Sequence, residues 1–77
     1  MNFVEVMELL RAVSAFHVKA PEERPKFHVY DNQNEGYVIC TKASSVNKEC
    51  LSFLKDIAEK RELGIREFEG FLIIHTR

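Results

Sequence analysis

Apolar side chains recur at Phe3, Val6, Met7, Leu10, Val13 and Phe16, the spacing of one helix face. The pattern predicts a first helix over residues 3–18. Asn2 is placed to cap its first turn, and Glu5, three residues on, can reach back as in a capping box. The helix must stop before Pro21, because the residue preceding a proline is pushed out of helical geometry. Residues 21–25 hold Glu22, Glu23 and Arg24 between two prolines and read as an exposed connector. Two strands are expected next, over 26–31 and 37–42, joined by the turn-forming run Asn32-Gln33-Asn34-Glu35-Gly36.

The same order then recurs. Ser44 or Ser45 can cap a second helix whose buried stripe is Val46, Cys50, Phe53, Leu54, Ile57 and Ala58, and Gly64 is placed as its left-handed terminator. Residues 65–68 and 71–76, separated by Glu69-Gly70, read as a hairpin with a two-residue turn. The two hairpins align, Gly36-Tyr37-Val38-Ile39 with Gly70-Phe71-Leu72-Ile73. Each run reaches a threonine and a basic residue, Thr41-Lys42 and Thr76-Arg77, with one extra residue in the second. The helices align as Leu10 with Leu54 and Val13 with Ile57. The chain therefore reads as a tandem α-β-β duplication within a single α+β domain, its halves covering roughly residues 1–42 and 43–77.

Neither half can bury its apolar surface alone. Together they make a two-layer sandwich, a four-stranded antiparallel sheet with both helices on one face. In element order, α-β-β-α-β-β over the whole chain, the protein resembles a group of small uncharacterised archaeal proteins. That resemblance implies the fold and carries no functional residues.

Strand alternation divides the sheet residues into two sets. With Tyr30 opposite Tyr37 and Phe68 opposite Phe71, the helix-facing set is Phe27, Val29, Val38, Cys40, Ile65, Leu72 and Ile74, with Glu67 as its polar exception. The other face then holds His28, Tyr30, Tyr37, Ile39, Thr41, Arg66, Phe68, Phe71, Ile73 and His75. A solvated antiparallel face normally reads polar, and an apolar patch of this kind marks an interaction surface. The candidate binding residues are thus Tyr30, Tyr37, Phe68, Phe71, Ile39, Ile73, Arg66, His28 and His75. The expected partner is a second copy of the chain forming a homodimer, or another protein. The alternative is single-stranded RNA or DNA, with bases stacked on Tyr30, Tyr37, Phe68 and Phe71 and phosphates near Arg66, His28 and His75.

Composition narrows these readings. Of 77 residues, 45% are hydrophobic and 30% charged, as in an ordinary globular domain. Eleven basic against twelve acidic residues leave no overall basic excess of the kind that drives sequence-independent nucleic-acid binding. The apolar run 71–74 is far too short to span a bilayer, and Glu5 and Glu8 stand where a signal peptide would be apolar. Cys40 and Cys50 are too few for a disulfide framework and are expected to be reduced core residues of a cytoplasmic protein.

Catalytic patterns are missing. The three glycines are isolated, and neither cysteine has a Cys-x-x-Cys partner. Cys40, Cys50, His17, His28 and His75 lack metal-ligand spacing. A cysteine nucleophile needs a histidine within reach, and the strand pattern turns Cys40 away from His28 and His75. The expectation is a non-catalytic module without cofactor or metal.

Overall fold

The structure, a computed structural model, describes residues 1–34 and 36–77. Glu35, which the sequence places in the first turn, lies outside the described residues. The elements run α1 (Phe3–Phe16), β1 (His28–Asn32), β2 (Gly36–Lys42), α2 (Lys48–Lys60), β3 (Leu63–Phe68) and β4 (Phe71–Thr76). The four strands form one antiparallel sheet in the order β1-β2-β4-β3. Both helices pack on one face, giving the expected α+β architecture. The result is a thin slab of 36 × 27 × 19 Å.

Both helix starts follow from asparagine. The Asn2 side chain accepts the Glu5 amide at 2.8 Å, and the Glu5 carboxylate accepts the Asn2 amide at 2.9 Å, completing the capping box. The cap of α2 is Asn47, whose Oδ1 accepts the Cys50 amide at 2.8 Å. This corrects the serine cap. Residues Ala43–Ser45 form a 3-10 turn instead, and the Ser45 hydroxyl donates to the Lys42 carbonyl at 2.8 Å.

The phase of α1 also departs from the sequence reading. Val6, Leu9, Val13 and His17 face the core, while Phe3 is 63% exposed and Met7 and Phe16 stand at the surface. Only four of the fourteen residues of α1 (Glu5, Glu8, Arg11 and Ser14) are polar, so periodicity alone could not fix which apolar stripe would be buried. Phe16 stacks on Phe53 of α2 at 4.6 Å between ring centroids, and Arg61 pairs with Glu8 at 2.6 Å. Both contacts join the two helices.

The left-handed residue after α2 is Glu62, at φ 58°, and not Gly64, which lies inside β3. Gly64 serves as a close approach: a Cβ there would stand 2.5 Å from Cε1 of His75, whose ring lies over it. The β3–β4 turn is the expected two-residue one, with Glu69 and Gly70 both at positive φ.

The β1–β2 register is the correction with most consequence. Tyr30 pairs with Val38, Asp31 with Tyr37 and Asn32 with Gly36 across the turn, one residue out of the expected Tyr30–Tyr37 pairing. The Asn32 side chain accepts the Asn34 amide at 3.2 Å and helps close it. This one-residue slip inverts β2 and leaves β1, β3 and β4 as expected.

Candidate functional site on the open sheet face

On the helix side, Val29, Ile39, Ile74 and Ile65 form one row across all four strands. Ile39 is fully buried and Ile74 nearly so. Thr41, Leu72 and Glu67 form a second row. The Thr41 hydroxyl is buried and donates to the Lys26 carbonyl at 2.7 Å. Tyr37 packs partly buried against the core, edge-on to Phe3. Tyr37, Ile39 and Thr41 therefore do not belong to the open face, contrary to the sequence assignment.

The open face carries His28, Cys40, Ile73 and Arg66 in one row. Lys42, Phe71 and Phe68 form the row toward the β3–β4 turn. Tyr30 pairs with Val38, and Gly64 with His75, in the row beyond. Of the nine candidate residues, seven are thus brought together here, while Tyr37 and Ile39 are not. Val38, Cys40 and Lys42 are the members that the sequence reading missed. Closing the turn on Asn32 would have found them, since that choice alone turns them outward.

The aromatics occupy two opposite corners. Tyr30 is 56% exposed on the β1 edge, with the His28 ring tilted beside it at 6.4 Å. Phe68 is 60% and Phe71 39% exposed beside the β3–β4 turn. Between the corners, Val38, Cys40 and Ile73 form a half-buried apolar floor. The Nδ1 of His75 lies 2.9 Å from the Thr76 carbonyl. A carbonyl only accepts, so that nitrogen carries the proton.

The charged strand residues of this face are of one sign. Lys42 and Arg66 are its ionised strand residues, with His28 and His75 as further nitrogen donors. Among the described strand residues the carboxylates, Asp31 and Glu67, stand on the helix side. Lys26 extends the cationic side: with Lys42, His28, Ser44, Ser45 and Phe71 it lines a cleft of about 750 Å³ at the end of the face, which Glu22, Glu23 and Arg24 also line. The chain's net charge of -1 is thus unevenly spread.

Cys40 and His28 are cross-strand neighbours on the open face, which reverses the expectation that strand alternation separates them. No hydrogen bond joins them among the described contacts. No group of three or more His, Cys, Asp or Glu side chains is placed to hold a metal ion among the described residues. Both cysteines are free. Cys50 is buried on α2, and burial pushes its thiol pKa up by disfavouring the thiolate. Among the described residues no helix is long and apolar enough to cross a membrane. No protein family, curated protein or solved structure matches the chain.

Proposed function

We propose that the protein is a small non-catalytic binding module whose working surface is the helix-free face of its sheet, and that this face takes single-stranded nucleic acid. The observation that carries the reading is the composition of the face: three exposed aromatics and a cationic fringe, with every described strand carboxylate on the other side. Bases stack on Tyr30, Phe68 and Phe71, contributing about 1–3 kcal/mol each. Phosphates meet Lys26, Lys42 and Arg66. A small local set of this kind works without an overall basic excess, because stacking supplies the larger share of the affinity.

Self-association through the same face is weaker support for these residues than the sequence implied. With Tyr37 and Ile39 turned inward, the face has lost two of its large apolar groups, and Lys42 has joined it. A second copy laid face to face would bring cations of like sign into one interface. A cytoplasmic location belongs to the same reading, with Cys40 and Cys50 kept reduced.

The duplication is part of this proposal, with its alignment moved by one residue. Asn2 corresponds to Asn47, since both cap a helix by accepting the amide three residues on. Leu9 then matches Leu54, and Val13 matches Ala58, all four buried. Thr41 matches Thr76, each on the helix side of a central strand and each hydrogen-bonded through its hydroxyl. Matching Gly36 with Gly70 instead places Tyr37 and Phe71, which lie on opposite faces, at one repeat position.

Fluorescence anisotropy of a labelled single-stranded oligonucleotide, titrated with wild type, Phe68→Ala and Lys42→Glu, tests the binding reading. Saturable binding by wild type, weakened at least about fivefold by Phe68→Ala as loss of one stacked base requires, supports it. No binding by wild type at low salt, or equal binding by all three proteins, overturns it.

A further inference from the structure

The two halves of the fold are covered unequally. In the second half α2 lies over the edge strand β3, and Leu63 is buried with Ile65 half-buried beneath it. In the first half every residue of the edge strand β1 is exposed. Val29, in the same row as fully buried Ile39, keeps 41% of its surface. The flank of α1 on this side carries Phe3, Met7 and Leu10, the first two exposed. A trough of about 650 Å³ runs beside them, its apolar lining of Leu10, Pro21, Pro25 and Phe27 edged by Glu22, Arg24 and Lys26.

The two edges also differ in protection. β3 carries the adjacent charges Arg66 and Glu67, and the Arg77 side chain donates to the Leu63 carbonyl at 3.1 Å. Such charges blunt an edge against pairing. β1 runs His28-Val29-Tyr30-Asp31-Asn32, with no proline, lysine or bulge, and its one carboxylate stands at the turn end. It presents a row of backbone donors and acceptors, flanked by the part-exposed side chains of Val29, Phe3 and Met7.

We infer that β1 and the adjoining flank of α1 form a homodimer interface, in which β1 of a second copy pairs antiparallel with β1 across a two-fold axis. The pairing joins two sheets into one of eight strands and packs Phe3, Met7 and Val29 against their counterparts. A second copy fits this edge because an antiparallel strand is complementary to itself under a two-fold rotation. The surface area points the same way. The chain exposes 5448 Å², about 600 Å² more than the roughly 4,850 Å² expected of a monomer of its mass. That surplus approaches the roughly 800 Å² per partner of a standard interface. The open faces of the two copies then lie side by side as one platform, but the inference does not depend on what binds there.

Sedimentation equilibrium of wild type, Val29→Lys and Phe68→Ala tests it, with thermal melting as a check on folding. The expected masses are twice 9.0 kDa for wild type and Phe68→Ala, and 9.0 kDa for Val29→Lys. Met7→Lys, on the α1 flank, replaces Val29→Lys under the same criterion should that variant fail to melt cooperatively. A wild-type mass of 9.0 kDa at every concentration, or a Val29→Lys protein that stays dimeric, overturns the inference. So does dissociation by Phe68→Ala, which would place the interface on the open face. Oligonucleotide binding by monomeric Val29→Lys separates this outcome from the binding reading.

Discussion

Tyr30 stands opposite Val38 across the β1–β2 pair, and that register decides what each face of the sheet is made of. It sends Ile39 into the core and brings Cys40 and Lys42 to the surface that carries Phe68, Phe71 and Arg66. A pairing one residue away would have given a more apolar and less cationic face.

Alanine substitution reads this register directly. Ile39→Ala removes a fully buried side chain and should cost about 2–5 kcal/mol. Ile73→Ala, on the half-buried floor of the open face, should cost clearly less. Urea unfolding of the two variants distinguishes them, and equal losses would contradict the register.

The two cysteines give a chemical version of the same test. Cys40 should react with a thiol reagent in the folded protein, while Cys50 should react only on unfolding. The Cys50 thiol titrates higher when folded than its ordinary value of 9.0. Its contribution is fully present below that value and is lost as pH rises through it toward the folded pKa, because the unfolded chain releases the proton first. Cys50→Ala should therefore lose less stability than Cys40→Ala between neutral and alkaline pH, as followed by thermal melting.

Two glycines at positive φ should respond unequally to alanine. At Gly70, φ 83°, an added Cβ meets nothing within 4 Å, so the cost is the left-handed conformation alone, about 1–2 kcal/mol. At Gly36, φ 76°, the Cβ would stand 2.6 Å from the Met1 carbonyl oxygen. Tyr37 donates its amide to that same oxygen at 2.8 Å. Gly36→Ala should thus be the more destabilising in a denaturant titration.

His17 caps the end of α1 with a buried ring, and its Nε2 has no hydrogen-bond partner among the described residues. A buried unsatisfied polar atom costs about 1–3 kcal/mol. His17→Leu, similar in volume, should therefore leave the melting temperature unchanged or raise it. A marked fall would mean that the ring makes an interaction that this account lacks.

How much of this was legible in the sequence varied by element. The Asn2–Glu5 capping box and the Glu69-Gly70 turn were readable because each depends on two or three residues close in sequence. The element order followed from the same local signals. The β1–β2 turn was not readable: Asp31 to Gly36 is a run of turn formers with several points of closure, and each moves the faces by one position. The phase of α1 failed for a related reason, since a helix apolar on most sides offers more than one stripe to bury. The candidate face was located because β1, β3 and β4 were phased correctly. It was misjudged in character because β2 contributes its centre.

The central claim is that the helix-free face, with Tyr30, Phe68, Phe71, Lys42 and Arg66, takes single-stranded nucleic acid. The most direct measurement is an amide chemical-shift titration with a short single-stranded oligonucleotide, repeated at rising salt. The account predicts shifts confined to Lys26, His28, Tyr30, Val38, Cys40, Lys42, Arg66, Phe68, Phe71, Ile73 and His75, with α2 silent. The affinity should fall with salt at a log–log slope of about -2, from three phosphate contacts at about 0.7 each. Shifts centred on α2, or none at low salt, would contradict it.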